Sequence, residues 1–212
     1  MVGRYCRVEP IDPALHAEDL YRANALDPSN RNFTYLSVGP FDTFDAFRHW
    51  VTSARQSDDP LFHAIVDAAT GKAVGIASYM RIDCRNGAIE VGHLNYSPLL
   101  QRKLAATEAM HLMMKRAFEL GYRRYEWKCD SLNAASRAAA QRLGFSYEGV
   151  FRQASIYKGR NRDTAWYAII ESEWPGLDRA FRRWLDPANF DAQGNQRERL
   201  SDLTAPILKQ RG

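Results

Sequence analysis

The chain has 212 residues, of which 45% are hydrophobic and 25% charged, a composition that predicts an ordinary globular protein of one domain, or of one domain with an appendage. A formal net charge of +4 favours anionic ligands without demanding nucleic acid, and no apolar run approaches the length of a membrane span. Cys6, Cys84 and Cys129 match no zinc spacing and leave one thiol over in any disulfide scheme. With no apolar leader at the N-terminus, the sequence predicts a soluble, cytoplasmic protein with reduced thiols and without metal, membrane or nucleic-acid partners.

The first 60 residues predict a short strand followed by two helices. The strand spans residues 4–9, and the first helix, over 14–25, stops near an Asp-Pro pair. The second helix, over 44–54, is capped by Asp42 or Thr43 and carries aromatic and aliphatic residues at helical spacing. Most of these apolar side chains are expected to pack in a core.

Three strands joined by tight turns come next. They span residues 61–66, 73–83 and 88–96, and each is bounded by turn signals. The last turn contains Asn86-Gly87, a dipeptide that type I′ hairpin turns prefer. These segments predict an antiparallel meander.

The pair Ser97-Pro98 predicts the junction between the third of these strands and a long helix, because proline fits the start of a helix but neither interior. A strand that runs directly into a helix leaves backbone N–H groups unpaired, here around residues 101–106, at the positive end of the helix dipole. Arg102 and Lys103 lie in the same turn and add full charges. The corner is a candidate site for a phosphate or pyrophosphate, and a plain strand–helix corner is the alternative.

The second half of the sequence alternates helices and strands. A strand over 124–129 follows the long helix, and a second helix spans 133–143; both helices end at a glycine. Two further strands, over 145–157 and 163–170, are joined by a basic turn over 158–162. One strand–helix–strand crossover inside otherwise antiparallel strands predicts a mixed α/β domain.

Past residue 172 the pattern changes to a single helix over 174–185 and a polar, weakly patterned, loose tail. The apolar face of this helix consists of Leu177, Phe181, Trp184 and Leu185. Left exposed, it would be a large apolar patch, so we expect it to pack on the preceding domain or at a homodimer contact. The sequence therefore predicts one domain over 1–172, with a helix and tail over 173–212 packed on it.

Three motifs resemble those of the GNAT superfamily, the acyl-CoA-dependent N-acyltransferases. They are Glu90-Val-Gly-His93, the run from Ser97 to Ala109, and Asn133-Ala-Ala-Ser136-Arg137 leading to Arg142-Leu-Gly-Phe145. The order of elements is similar over residues 10–170, and the most similar branch includes the ribosomal-protein N-terminal acetyltransferases. The resemblance implies an α/β fold with a mixed, mostly antiparallel sheet, helices on both faces, and a V-shaped splay between the strands over 88–96 and 124–129.

The resemblance also implies acetyl-CoA as co-substrate, bound in that splay. The backbone expected to pair with its pantetheine arm belongs to Leu94, Asn95 and Tyr96, and the turn expected to bind its pyrophosphate consists of Gln101, Arg102, Lys103, Leu104, Ala105 and Ala106. Asn133 matches the asparagine that hydrogen-bonds either the arm or the backbone near the reaction centre, and Arg137, one helical turn on, could face the same cleft. The family places a glycine where this chain has Leu104, and a leucine crowds a close phosphate approach.

Two side chains are candidates for the general base that takes the proton of the attacking amine. Glu90 matches a glutamate that family members often use, usually through water, and its alternative role is a structural ion pair with a nearby arginine. His93 has a pKa in the right range, and its alternative role is core packing. Simple alternation along a strand places the two on opposite faces, whereas a bulge would change that.

The leaving thiolate needs a proton donor, which many relatives supply as a tyrosine seven residues after the asparagine. That position is Ala140 here. Ser136 is the nearest hydroxyl on the same helix and matches a serine of the N-terminal acetyltransferase branch, so it is the candidate partner of the thiolate. Its alternative role is to cap or solvate the start of the helix. A backbone N–H near Leu94 or Asn95 would meet the oxyanion.

Together these residues predict an N-acetyltransferase that moves an acetyl group from acetyl-CoA to a primary amine, of a small molecule or a protein N-terminus, by direct attack. A non-catalytic acyl-CoA-binding or regulatory module is the alternative, suggested by Leu104 and the absent tyrosine. The basic residues over 152–162 fit a solvated hairpin better than an RNA site. Phe33, Tyr35 and Phe41 lie in irregular sequence and could line the acceptor pocket.

Overall fold

The computed structural model describes all 212 residues. The chain forms seven strands, six α-helices and two short 3₁₀ helices, which confirms a mixed α/β protein. None of the helices combines the length and the apolarity that crossing a lipid bilayer requires. By its internal contacts the chain divides into two compact units: the first consists of Met1–Asp83 and Ile89–Arg116, and the second of Cys84–Ala88 and Ala117–Gly212.

The first unit is built on four strands that neighbour one another in chain order. The strands are β1 (Cys6–Pro10), β2 (Leu61–Asp67), β3 (Ala73–Asp83) and β4 (Ala88–Tyr96), and the helices are α1 (Pro13–Asn24), α2 (Phe44–Arg55) and α3 (Leu104–Glu119). β1 pairs with β2 and β2 with β3 in antiparallel register. The predicted bounds of β2, β3 and β4 are confirmed to within one residue.

Both helices before β2 begin at a side-chain cap. The Asp12 carboxylate accepts hydrogen bonds from the N–H groups of Ala14 and Leu15 at the start of α1. Thr43, one of the two predicted caps, accepts from the N–H of Ala46 at the start of α2. The apolar faces of the two helices share one core with β2 and β3, which includes Leu20, Phe47, Val51, Phe62 and Ile76.

The helix after Pro98 begins later than predicted. Residues 98–103 form turns, and α3 starts only at Leu104. Arg102 has a φ of 61°, a left-handed backbone conformation that a right-handed helix cannot contain. Ser97 remains tied to the neighbouring strand, because its N–H and its hydroxyl both donate to the carbonyl of Val74. The proline therefore ends the strand without starting the helix.

The second unit contains three antiparallel strands in the spatial order β5, β7, β6. The strands are β5 (Arg124–Asp130), β6 (Ser146–Tyr157) and β7 (Arg160–Ile170), and the helices are α4 (Ala134–Arg142), α5 (Trp174–Leu185) and α6 (Leu200–Thr204). The β6–β7 turn is shorter than predicted: Lys158 (φ 48°) and Gly159 (φ 70°) form it, and the next basic residues already belong to β7.

The residues after α5 are not the loose tail that their composition predicts. They contain α6 and return to the second unit, where the N–H of Lys209 donates to the Ser146 hydroxyl (2.9 Å) and the N–H of Tyr147 donates to the carbonyl of Gln210 (3.0 Å). On the predicted apolar face of α5, Leu177, Phe181 and Trp184 are buried. Trp174, at the start of the helix, stacks on Phe118. Backbone hydrogen bonds leave no periodic apolar signal, so the sequence pattern did not reveal the order of this segment.

Candidate active site

Glu90 lies on β4 with only 2% of its surface exposed. Its Oε1 accepts a hydrogen bond from Nη1 of Arg81 on β3, at 2.7 Å. Arg81 has a left-handed backbone (φ 48°), and the Asp59 carboxylate holds that conformation by accepting the N–H groups of Arg81 (2.8 Å) and Ile82 (3.1 Å). The ion pair considered as the structural alternative for Glu90 is therefore present. It also holds the carboxylate in one orientation, as a general base requires.

His93 interrupts the alternation of β4, because its φ is 48°. The imidazole stacks on Trp50 of α2, with ring centroids 5.3 Å apart and an interplanar angle of 18°. It also meets Phe62 of β2 edge to face at 4.9 Å. Burial lowers the pKa of His93 to about 4, so the ring is neutral near pH 7 and binds a proton weakly. These contacts favour the packing role for His93 and leave Glu90 as the stronger candidate base.

The low pKa of His93 should make folding stability depend on pH. The unfolded chain binds a proton at His93 near the ordinary pKa of 6.5, whereas the folded chain does so only near pH 4. The folded state therefore loses stability as the pH falls below 6.5, by up to about 1.4 kcal/mol per pH unit. Urea unfolding of His93→Asn between pH 7 and pH 5 should show a smaller loss than the parent chain. His49→Asn, at an exposed histidine of α2, is the control, and an equal loss in all three proteins would contradict this assignment.

The turn between β4 and α3 presents fewer unpaired N–H groups than predicted. The N–H groups of Gln101, Lys103 and Ala106 already donate to backbone carbonyls of the turn, which leaves those of Arg102, Leu104 and Ala105 for a ligand. The Gln101 side chain donates to the carbonyl of Tyr96 (2.7 Å) and closes the turn against the end of β4. Arg102 and Lys103 are exposed, and Leu104 is half-buried. The expected anion site is thus reduced to three amides and two cations.

Asn133 and Ser136 lie together in the second unit, at the start of α4. The Asn133 side-chain oxygen accepts the N–H of Ser136 (3.1 Å) and so caps the helix. The Ser136 hydroxyl accepts the indole N–H of Trp127 (3.0 Å). Burial raises the pKa of the Cys129 thiol, and a hydrogen bond from Ser136 opposes that rise. The Ser136 hydroxyl is thus oriented by two groups of β5, which sequence reasoning did not foresee.

Arg137 and Ala140 follow on the same helix. The Arg137 guanidinium donates to the Tyr167 hydroxyl and to the carbonyl of Ser131, each at 3.3 Å. Its side chain is therefore held by β7 and by the loop before α4. Ala140 is fully buried, so the position at which many relatives carry a tyrosine is here part of the core.

A cavity of about 280 Å³ lies in the first unit, beside the last turn of α1. Four aromatic side chains line it, from Tyr21, Phe33, Phe41 and Phe47. The residues proposed for an acceptor pocket thus include two that line it, Phe33 and Phe41, whereas Tyr35 is not among the lining residues. Polar lining comes from Asn24, Asp27 and Asp42, among others.

Sequence reasoning missed two sets of polar contacts in this unit. Arg81 belongs to no motif, and only the pairing of two strands reveals it as the partner of Glu90. Asn95 was singled out for its backbone, yet its buried side chain accepts a hydrogen bond from Asn32 (3.4 Å), which also donates to Asn24 (2.6 Å). In the sequence, Asn24, Asn32 and Asn95 stand at irregular spacing. Isolated asparagines are common in turns, so these three gave no recognisable sign of a shared network.

The first unit thus combines a turn suited to an anion with a buried carboxylate on β4. The family model of the acetyltransferase (GNAT) domain matches residues 7–146, and the chain belongs to this GNAT family of acetyltransferases. A GCN5-related N-acetyltransferase from Brucella melitensis is 46% identical, with a TM-score of 0.94 over 96% of this chain and 93% of that one. This likeness confirms the expected mixed α/β fold.

Two further relatives agree with this family. A solved structure from Chromobacterium violaceum, provisionally described as a GNAT-family acetyltransferase, is 42% identical, with a TM-score of 0.76 over 82% of this chain and 87% of that one. YdaF of Bacillus subtilis (strain 168), provisionally named a ribosomal N-acetyltransferase, is 29% identical over 107 residues. That alignment spans 50% of this chain and 58% of the Bacillus protein.

Proposed function

We propose that this protein is an N-acetyltransferase that uses acetyl-CoA to acetylate a primary amine. The observation that carries the proposal is the buried, oriented Glu90 carboxylate on β4 of a chain in the GNAT family. The microcin C7 self-immunity acetyltransferase MccE, 22% identical and with a TM-score of 0.69, was solved with acetyl-CoA and AMP, which supports acetyl-CoA as the donor for this fold. The acceptor is a small amine or a protein N-terminus.

The reaction joins the amine nitrogen to the acetyl carbonyl carbon and breaks the carbon–sulfur bond of the thioester. The ammonium must first lose a proton, and we assign its acceptance, through one water, to Glu90. A backbone N–H at Leu94 or Asn95 stabilises the oxyanion, and the Ser136 hydroxyl is the proposed partner of the departing sulfur. Trp127 and Cys129 orient that hydroxyl by the contacts described above.

The residues of the turn before α3 fit the pyrophosphate of the donor. The N–H groups of Arg102, Leu104 and Ala105 and the charges of Arg102 and Lys103 suit two phosphates. Leu104 replaces a glycine without removing its own N–H. The pantetheine arm is assigned to the backbone of residues 94–96 and to Asn133 and Arg137.

Calorimetry with CoA tests the donor assignment directly. We expect CoA to bind, and Arg102→Ser to weaken its affinity by roughly tenfold, because one charge–phosphate contact is lost. Pantetheine lacks the pyrophosphate, so its weaker binding should not change in this variant. Lys72→Ser, which removes an exposed charge from the β2–β3 loop, is the matched control.

An absence of CoA binding at high micromolar concentration would contradict the donor assignment, and with it the proposed enzyme. A thiol-release assay over a panel of amines then separates the two interpretations of a CoA-binding chain. Release with any amine supports the acetyltransferase. Binding without release for every amine identifies the alternative, a non-catalytic acyl-CoA-binding module, which Leu104 and Ala140 suggested.

A further inference from the structure

The cavity beside α1 has the walls of a site for a positively charged group. Its aromatic rings hold one another in place: Phe41 meets Phe33 at 6.0 Å and Phe47 at 5.3 Å, both edge to face, and Tyr21 lies 5.9 Å from Phe47. Such rings present electron-rich faces and attract cations. No lysine, arginine or histidine lines the cavity.

Two carboxylates complete this lining, those of Asp27 and Asp42. Asp27 is held by its own loop, where its oxygens accept the N–H groups of Ser29 and Arg31, each at 3.1 Å. The hydrogen bond from the Ser29 hydroxyl contributes most to holding the pKa of Asp27 below its usual value. The Asp27 carboxylate is therefore charged near pH 7. The Arg31 guanidinium lies 4.0 Å from Asp27 on a largely exposed side chain and offsets this charge only in part.

The cavity is joined to β4 by a chain of three amides. Asn24 lines the cavity and is only 6% exposed, and its side-chain oxygen accepts from Asn32. The same nitrogen of Asn32 reaches Asn95 on β4. The side chains of Asn24 and Asn32 therefore link the cavity to the strand that carries Glu90.

We propose that this cavity selects acceptors by binding a positive charge, so that the protein acetylates one amine of a molecule that carries a second cationic group. This inference rests on the proposed function and names its class of acceptor: a diamine, or a peptide with a basic residue next to its N-terminus. The two sources share the same chemistry. A cavity of 280 Å³ holds one ammonium or guanidinium group and the carbons next to it, not a whole large substrate.

Pairs of acceptors that differ mainly in a second positive charge test whether that charge increases the rate of acetylation. In a thiol-release assay, kcat/KM for cadaverine should exceed that for pentylamine by at least tenfold, well above the twofold that its two equivalent amines supply. Seryl-lysine amide and seryl-norleucine amide make the same comparison for peptides. The pair with the larger ratio identifies the source, and equal values within both pairs would overturn the proposal.

Variants then place the effect in this cavity. Asp42→Asn should remove most of the preference for the cationic acceptor, measured as the ratio of kcat/KM for cadaverine to kcat/KM for pentylamine. Asp45→Asn, at an exposed carboxylate of the first turn of α2 that does not line the cavity, should retain the preference. If both variants lose the preference equally, or if neither variant loses it, the cavity does not bind the second charge of the acceptor.

A cation that cannot be acetylated separates this inference from the proposed function. Pentyltrimethylammonium should bind in calorimetry, and Asp42→Asn should weaken its binding several-fold, whereas Asp45→Asn should not. If it binds in this way while no amine releases thiol, the cation site is supported and the proposed enzyme fails. If thiol is released from amines but pentyltrimethylammonium does not bind, the proposed enzyme stands and the cation site is overturned.

Discussion

Replacing Glu90 by glutamine is expected to lower kcat by roughly a hundredfold, the effect typical of losing a general base. The substitution keeps the shape of the side chain, and the glutamine oxygen can still accept the hydrogen bond from Arg81. The change is therefore confined to the charge and to the ability to take a proton. Affinity for CoA should hardly change, because Glu90 is not assigned to the donor.

The difference in kcat between Glu90→Gln and the parent enzyme should be largest at low pH. At low pH nearly all of the acceptor is protonated, so the reaction depends most on a base in the protein. As the pH rises, more of the amine is already neutral and the gap between Glu90→Gln and the parent enzyme should narrow. Steady-state kinetics from pH 6 to pH 9 with a saturating acetyl donor would measure it.

Glu9→Gln is the matched control, since Glu9 is also an ion-paired carboxylate on a strand of the first unit, in contact with Arg7 and His16. It should leave kcat unchanged. If Glu90→Gln retains the parent kcat across the pH range, the base is another group. His93→Gln would then be the next variant, although burial of that imidazole argues against it.

Replacing Glu108 by glutamine is expected to destabilise the fold by roughly 3–5 kcal/mol, the cost of disrupting a buried charge and its hydrogen bonds. Glu108 lies on α3 and is 6% exposed. Its Oε1 accepts the N–H of Arg4 (2.8 Å), and its Oε2 accepts those of Tyr5 (2.6 Å) and Cys6 (2.9 Å). A glutamine has one accepting oxygen, and its NH₂ group would face at least one N–H that also needs an acceptor.

Thermal unfolding should show this loss as a decrease in Tm on the order of 10 °C for a chain of this size. A second readout is the buried Cys6 thiol, which should react faster with a thiol reagent as the start of β1 detaches. Glu171→Gln removes the same charge from an exposed position and should change neither measurement. An unchanged Tm in Glu108→Gln would show that these three bonds contribute little.

Regular elements were the part of the fold that the sequence predicted best. The bounds of β3, β4 and α5 match, because apolar periodicity and turn dipeptides mark them on both sides. The start of α3 was wrong, since Pro98 permits a helix there but a left-handed residue at Arg102 delays it. The ordered structure after α5 was not predicted either, because main-chain hydrogen bonds stabilise it and they leave no pattern in the sequence.

The site was predictable as far as its motifs extend. Glu90, Asn133 and Ser136 come from matches to a family pattern, and their assigned chemistry stays a prediction. Their partners could not be read in the same way: Trp127 binds the Ser136 hydroxyl across two elements, and Arg81 meets Glu90 through strand pairing. The cavity carboxylates, Asp27 and Asp42, come from separate loops, so no local sequence motif predicts that they lie together.

Asp59 fixes the backbone from which Arg81 reaches the Glu90 carboxylate. The exposed loop before β2 is therefore less free to drift over evolution than its surface position suggests. A mutation there would change the charge environment of the carboxylate without replacing Glu90 or Arg81. Lineages that lose the aspartate would need a new support for the arginine, so changes at the proposed base can begin in a loop that does not carry it.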